Sequence, residues 1–124
     1  MKILLVDDER EFVSTLAERL EMRGYSADWT STGKEALEMA GKEHYDLAIL
    51  DVKMPQIGGI ELRRELQKKN PAMRFMFISG HGSLDDFSVG SEEAEYYVIK
   101  PVSIEKLMDK IRTIMPEQGS GNEK

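Results

Sequence analysis

Short apolar runs alternate with longer amphipathic stretches along this chain of 124 residues. The runs KILLV, SADWT, DLAIL, RFMFIS and EYYVIK each have the length of a β-strand. DLAIL is so continuously apolar after its first residue that it suits a strand buried on both faces. The alternation predicts an α/β protein in which helices cover a parallel sheet.

The stretches between these runs carry apolar residues at helical spacing. From Glu11 to Met22 they recur every three or four positions and predict one buried face, formed by Phe12, Val13, Leu16, Ala17 and Leu20. Gly24 is placed to end this helix. Further helices are predicted over 33–42, 60–69, 83–93 and 104–115. Of these, the helix over 83–93 is rich in Ser and Gly, which favours a short or mobile element.

Polar residues with chemical potential stand directly at the ends of the predicted strands. Asp7 and Asp8 follow the first strand, Asp51 follows the third, and Ser79 and Lys100 end the fourth and fifth. Doubly wound sheets bind ligands at the carboxyl ends of their strands, near the switch in strand order. If the order were the flavodoxin-like 2-1-3-4-5, strands one and three would be neighbours and the three acids would converge in one crevice.

The adjacent acids Asp7 and Asp8 need an explanation, because like charges at the end of a buried strand repel each other. One of them could cap the following helix, but a cap requires one acid only. A bound divalent cation would convert the repulsion into coordination, since Mg²⁺ prefers oxygen ligands.

Composition narrows the class of protein. With 40% hydrophobic and 32% charged residues, the chain suits one globular domain, predicted over 1–115, followed by a flexible tail or linker over 116–124. The lack of Cys excludes disulfides and thiolate chemistry, and the net charge of −6 argues against a nucleic-acid surface. No membrane-length apolar run or signal-peptide pattern is present, so we expect a cytoplasmic protein without a membrane partner.

Four segments together resemble the receiver (phosphoacceptor) domain of bacterial two-component response regulators, over about residues 1–115. They are LLVDDE, DLAILDVKMPQIGGIEL, FISGHG and YYVIKP. Each is a weak signal alone, and their order, each at the end of its own strand with a helix between, is what carries the resemblance. It implies a CheY-like, flavodoxin-like doubly wound (βα)5 fold, with a five-stranded parallel sheet of order 2-1-3-4-5 and helices on both faces.

The resemblance also implies a phosphorylation site and a metal site. Asp51 stands at the position of the phosphoryl acceptor. Asp7, Asp8 and Asp51 would hold Mg²⁺, or Mn²⁺, together with the backbone carbonyl of Lys53. This chemistry is physically reasonable, because transfer of a phosphoryl group mainly requires positioning and charge neutralisation.

Other positions match the residues that respond to phosphorylation in the family. Ser79 would hydrogen-bond a phosphoryl oxygen, Lys100 would pair with another, and Tyr97 stands at the position of an aromatic switch. Lys100-Pro101 resembles the family's cis peptide. Lys53 and His81 lie two residues beyond Asp51 and Ser79, where side chains could tune dephosphorylation.

By the same resemblance the chain is a signalling switch rather than an enzyme. A sensor histidine kinase or a histidine phosphotransfer protein would donate the phosphoryl group, and the domain would dephosphorylate itself. The signal would pass through the face formed by the fourth helix, the fifth strand and the fifth helix to an output domain or a second copy.

Three other functions fit the sequence less well. An Asp-nucleophile phosphatase would need a second Asp two residues after Asp51, where Lys53 stands. A flavodoxin-like electron carrier would need a phosphate-binding loop after the first strand, where DDER would repel a phosphate. A receiver-fold scaffold that is never phosphorylated would usually lack one of the acids or the lysine, and this chain retains them all.

Overall fold

The computed structural model describes residues 1–80, 96–100 and 102–115. Four predictions lie outside these residues: the helix over 83–93, the role of His81, the cis peptide at Pro101 and the tail over 116–124. They stay predictions.

The described elements follow the predicted alternation of strands and helices. They are β1 (Lys2–Val6), α1 (Arg10–Met22), β2 (Ser26–Thr30), α2 (Gly33–Lys42), β3 (Leu47–Asp51), α3 (Gly59–Lys69), β4 (Arg74–Ser79), β5 (Tyr96–Ile99) and the C-terminal helix (Ile104–Ile114). The predicted strands are confirmed to within one residue at either end. The difference that matters for the site is in β3, which begins one residue later than predicted and includes Asp51 as its last residue.

The sheet has five parallel strands in the order β2-β1-β3-β4-β5, which confirms the predicted topology. In the central pair, Val6 of β1 lies opposite Leu50 of β3. The next residue in each case is an aspartate, Asp7 directly after β1 and Asp51 as the last residue of β3, so the two lie at the same edge of the sheet.

Helices cover both faces of the sheet, as predicted. Alternate residues of β1 point to opposite sides, because successive side chains of a strand face opposite ways. Ile3 and Leu5 pack in one core with α1 and the C-terminal helix, whereas Leu4 and Val6 pack in the other with α2 and α3. Both faces of the central strands are therefore apolar, which leaves polar side chains to the strand ends.

The ends of the helices follow local sequence signals. Gly24 ends α1 with φ +97°, and the amide groups of Gly24 and Tyr25 donate to the carbonyls of Glu21 and Leu20, the pattern of a Schellman motif. Ser103 caps the C-terminal helix as predicted, since its hydroxyl accepts a hydrogen bond from the amide of Lys106 at 3.1 Å.

The start of α1 differs from the simple capping explanation for the two adjacent acids. Glu9, not Asp7 or Asp8, occupies the N-cap position. Asp7 uses its carboxylate one step earlier, where Oδ1 accepts a hydrogen bond from the amide of Glu9 at 2.8 Å. This bond fixes the turn between β1 and α1. The other carboxylate oxygen of Asp7, Oδ2, lies 2.9 Å from the ammonium of Lys100 at the end of β5.

Within residues 1–80, 96–100 and 102–115, no helix combines the length and the apolar character needed to cross a membrane.

Candidate functional site

Three aspartates meet at the carboxyl edge of the sheet. Asp7 and Asp51 are buried, with 3% and 6% of their surface exposed, and Asp8 is exposed beside them. One carboxylate oxygen from each residue lies within 4.8 Å of the others. The expected convergence of the three acids is therefore present, and it follows from the adjacency of β1 and β3.

The negative charges of this cluster are only partly neutralised within the protein. Burial, with the negative charge of Asp7 as the next contribution, raises the pKa of Asp51 to about 7, although the positive charge of Lys100 acts in the opposite direction. Burial also raises the pKa of Asp7, against the lowering effect of its hydrogen bonds from Glu9 and Lys100. Near neutral pH the cluster thus favours binding positive charge, either a proton or a cation.

Lys100 reaches the acids from the end of β5. Its amide donates to the carbonyl of Ser79 at 2.7 Å, which continues the pairing of β5 with β4 up to the site. Its ammonium nitrogen lies 2.9 Å from Asp7 Oδ2, 2.6 Å from Glu9 Oε1 and 4.0 Å from Asp51 Oδ2. Burial alone would lower the pKa of Lys100, but its hydrogen bonds to Glu9 and Asp7 and the charges of Asp7 and Asp51 raise it overall. The ammonium therefore stays charged.

Phe12 contributes to the surroundings of Lys100 rather than to the centre of the core. It was predicted on the buried face of α1, but it is only partly buried. The Lys100 ammonium lies 4.8 Å from the centroid of its ring, a cation–π distance. Phe12 is the first apolar residue of α1, so it lies close to the sheet edge where the acids meet.

Ser79 and Tyr97 lie near the acids on β4 and β5. Ser79 is buried, one residue beyond the Ile78 that pairs with Asp51, and its hydroxyl donates a long hydrogen bond of 3.4 Å to the carbonyl of Gly80. Tyr97 is partly buried and meets Phe77 edge to face, with ring centroids 6.2 Å apart. Both predicted switch residues thus lie on the strands that approach the site.

The loop after Asp51 is held close to the sheet by glycine. A Cβ atom on Gly59 would lie 2.1 Å from the carbonyl oxygen of Asp51, and the amide of Gly59 donates to the carbonyl of Val52 at 2.9 Å. Only glycine permits this approach. Lys53 lies in the loop that this contact closes, two residues after Asp51, with an exposed side chain.

Two contributors to the site were missed at the level of sequence. Glu9 stands in the segment LLVDDE and Gly59 in the segment DLAILDVKMPQIGGIEL, but neither is among the predicted site residues. The run DDE contained a usable signal, because a third acid after two others adds to the charge that a nearby lysine can neutralise. The close approach of Gly59 depends on tertiary packing and had no comparable signal.

The arrangement suits a hard divalent cation. Three carboxylate oxygens within 4.8 Å of one another are the kind of donor set that Mg²⁺ or Mn²⁺ takes, with water completing the coordination. Asp8 is exposed, and an open cleft of about 810 Å³ adjoins it. The cleft is lined by Asp8, Glu9, Arg10, Glu11, Phe12, Gly80 and Lys100. The cluster is therefore open to ions and small solutes on the side of Asp8.

A doubly wound sheet that gathers three aspartates and a lysine at the carboxyl ends of its strands is the architecture of CheY-like receiver domains. The family model of the response regulator receiver domain matches residues 3–112. This chain belongs to the response regulator receiver domain family.

Individual relatives agree with this assignment. The response regulator MprA of Mycobacterium leprae is 33% identical over 116 residues, which are 93% of this chain and 51% of that protein. The chain spans about half the length of the curated relatives it matches.

Solved structures agree as well. A CheY-like receiver domain protein from Methanospirillum hungatei JF-1 is 30% identical with a TM-score of 0.86, covering 98% of both chains. The response regulator TrrA of Thermotoga maritima, solved in complex with Mg²⁺-BeF, is 33% identical with a TM-score of 0.79, covering 90% of this chain and 96% of that one.

Proposed function

We propose that this chain is a phosphorylation-activated signalling switch in which Asp51 accepts a phosphoryl group. The donor would be the phosphohistidine of a sensor histidine kinase or of a histidine phosphotransfer protein. The observation that carries the proposal is the cluster of Asp7, Asp8 and Asp51, whose oxygens lie within 4.8 Å of one another, with the Lys100 ammonium 4.0 Å from Asp51.

In this proposal Asp7, Asp8, Asp51 and the backbone carbonyl of Lys53 hold Mg²⁺ or Mn²⁺. The bound ion supplies positive charge that neutralises the phosphoryl oxygens. The proposal is supported by the fit between the carboxylate cluster and the oxygen preference of these ions.

The chain's own residues account for the transfer. A carboxylate oxygen of Asp51 attacks phosphorus, the bond from phosphorus to the donor nitrogen breaks, and an acyl phosphate forms on Asp51. The Lys100 ammonium moves from the acids to a phosphoryl oxygen, and the Ser79 hydroxyl donates to another. Water later cleaves the acyl phosphate, at a rate that Lys53 and His81 would tune by charge and access.

The same displacements would transmit the signal. Phosphorylation adds about two negative charges at Asp51 and draws the Ser79 hydroxyl towards them. The space left beside β4 allows Tyr97 to turn inward, and the face around β5 and the C-terminal helix changes with it. A single phosphoryl group can tip this balance only if the two states are close in energy.

The partners in this proposal are a cytoplasmic kinase or phosphotransfer protein and, downstream, an output domain or a second copy of the chain. The receiver domain itself would bind neither nucleic acid nor membrane.

The test is the intact mass of the protein after incubation with acetyl phosphate, with and without Mg²⁺. We expect a gain of one phosphoryl group, about 80 Da, that requires Mg²⁺ and is lost in Asp51→Asn. Asp28→Asn is the matched control, because Asp28 is an acid on β2 that hydrogen-bonds Tyr45 and lies outside the cluster.

A gain in mass that persists in Asp51→Asn would contradict the assignment of the acceptor. No adduct with acetyl phosphate or with a panel of phosphorylated kinases would contradict the switch and favour a receiver-fold scaffold.

A further inference from the structure

Among the described residues, the shortest contact of the Lys100 ammonium is with Glu9, a residue that the proposed mechanism does not use. Glu9 Oε1 lies 2.6 Å from Lys100 Nζ, compared with 2.9 Å for Asp7 and 4.0 Å for Asp51. The lysine that would bind the phosphoryl group is therefore paired with two acids of the segment between β1 and α1, and lies farther from Asp51.

The position of Glu9 follows from the turn that precedes α1. Its amide donates to Asp7 Oδ1 at 2.8 Å, which fixes its backbone one residue before the first turn of the helix. Its side chain is 62% exposed, whereas that of Lys100 is 17% exposed. Glu9 thus meets the ammonium from the solvent side, in the open cleft that it lines together with Asp8 and Lys100.

We infer that Glu9 is a positioning residue that holds the Lys100 ammonium away from Asp51 and must release it before Lys100 can pair with a phosphoryl oxygen. The inference rests on the proposed role of Lys100 in phosphoryl transfer. Glu9, the third acid of the DDE run, would then control how fast the site accepts a phosphoryl group.

The reason is competition for one cation. Both the Glu9 carboxylate and an incoming phosphoryl group are anions that form strong charge-assisted hydrogen bonds with an ammonium. Each phosphorylation event must therefore exchange the first partner for the second. Because Glu9 is exposed, its pair with Lys100 is partly screened by water, so the barrier it adds is modest.

The experiment compares Glu9→Gln with Glu11→Gln in the full chain. Glu11 lines the same cleft and carries the same charge, so it reports the general repulsion of an anionic donor. Two quantities are measured for each variant: the ¹H–¹⁵N signal of the Lys100 ammonium by NMR without any donor, and the initial rate of phosphorylation by acetyl phosphate with Mg²⁺ from intact mass.

We expect Glu9→Gln to shift the Lys100 ammonium signal and to raise the phosphorylation rate about two- to fivefold. Glu11→Gln is expected to leave the signal in place and to change the rate less than about twofold.

Equal rate increases in the two variants would overturn the inference. Glu9 would then act only through its negative charge in the cleft, which repels an anionic donor as the charge of Glu11 does. An unshifted Lys100 signal in Glu9→Gln, or a shifted signal with an unchanged rate, would overturn it as well. If the Lys100 signal shifts in Glu9→Gln but neither the wild type nor any variant gains a phosphoryl group, the proposed function itself fails. The shifted signal then shows that the contact between Glu9 and Lys100 exists, so this failure is distinct from the absence of that contact.

Discussion

At the amino edge of the sheet, Lys2 pairs with Glu43 and lies 3.8 Å from Asp28, so that positive and negative charges alternate. At the carboxyl edge, Lys100 faces Asp7, Glu9 and Asp51, with Asp8 also in the cluster. The two edges lie at opposite ends of the same strands, and at each of them a lysine is surrounded by acids. They differ in how far the surrounding groups neutralise the charge of the acids.

The amino edge satisfies its acids within the protein. The buried hydroxyl of Tyr45 donates to Asp28 Oδ2 at 2.7 Å, and the amide of Lys2 donates to Asp46 Oδ2 at 2.8 Å. Burial, followed by the hydrogen bond to Asp28, raises the pKa of Tyr45, so the hydroxyl remains a donor at any ordinary pH. The acids Asp28 and Asp46 of this edge therefore have hydrogen-bond donors within the protein and require no added cation.

The carboxyl edge leaves negative charge in excess. The pKa of Asp51 is raised to about 7, chiefly by burial and then by Asp7, even with Lys100 nearby. A site with this imbalance gains stability from any added cation and changes state when its charge changes. The comparison teaches that a poorly neutralised edge of an otherwise stable sheet is where a charge-driven switch can operate.

The largest expected effect comes from removing each edge's lysine in turn. Lys100→Met should lower the rate of phosphorylation by acetyl phosphate about 100-fold, because it removes a cation directed at the developing charge. Lys2→Met, measured by the same mass assay, should leave the rate within about twofold, since Lys2 lies at the opposite ends of the strands. Similar losses in both variants would break the comparison.

The next effect concerns the backbone that holds Asp51. Gly59→Ala should lower the free energy of unfolding by about 2 to 3 kcal/mol, because its Cβ would collide with the Asp51 carbonyl oxygen. Gly41→Ala is the matched control, since a Cβ at Gly41, within α2, meets no atom within 4 Å. It should stabilise by about 0.5 to 1 kcal/mol. Urea denaturation measures both, and equal effects would refute the close approach at Gly59.

The excess negative charge of the aspartate cluster predicts that the free energy of unfolding depends on pH in an unusual way when no metal is bound. The pKa of Asp51 is higher in the folded protein, about 7, than its ordinary value of 3.8, so the folded state binds more protons between these values. The contribution of the Asp51 carboxyl to the free energy of unfolding is therefore complete below pH 3.8 and is lost as the pH rises through 7.

Thermal unfolding in EDTA at pH 5 and pH 8 measures this loss. Asp51→Asn should be more stable than the wild type at pH 8 by about 2 kcal/mol, allowing for solvent screening, and should show a flatter pH profile. Mg²⁺ should recover most of the difference in the wild type. A wild-type profile as flat as that of the variant would show that the acids are already neutralised.

The smallest effect tests the independence of the amino edge. Tyr45→Phe should lower the free energy of unfolding by about 1 kcal/mol, because it removes one hydrogen bond to the partly exposed Asp28. The rate and extent of phosphorylation should not change. A change in phosphorylation would indicate that the two edges are coupled through the sheet.

Local pattern alone located the elements and the chemistry-bearing residues. The limits of β1, β2, α2 and β4 follow from runs of apolar residues and from turn residues beside them, and Gly24 and Ser103 act as the helix-end signals that they are. The order of Asp7, Asp8, Asp51, Ser79 and Lys100 along the chain was readable as well. Each of these signals acts over a few residues, which is why no tertiary information was required.

Tertiary structure decided which of these residues meet. The placement of β1 beside β3 depends on pairing between strands about 40 residues apart, and it brings Asp7 next to Asp51. The contact of Lys100 with Glu9 joins residues 91 positions apart, and the Lys100 ammonium also lies over the ring of Phe12, which is only partly buried at the margin of the core. The sequence by itself therefore determined the elements and the residues with chemical potential, whereas the packing of the sheet decided that Asp7, Glu9 and Asp51 would all face Lys100.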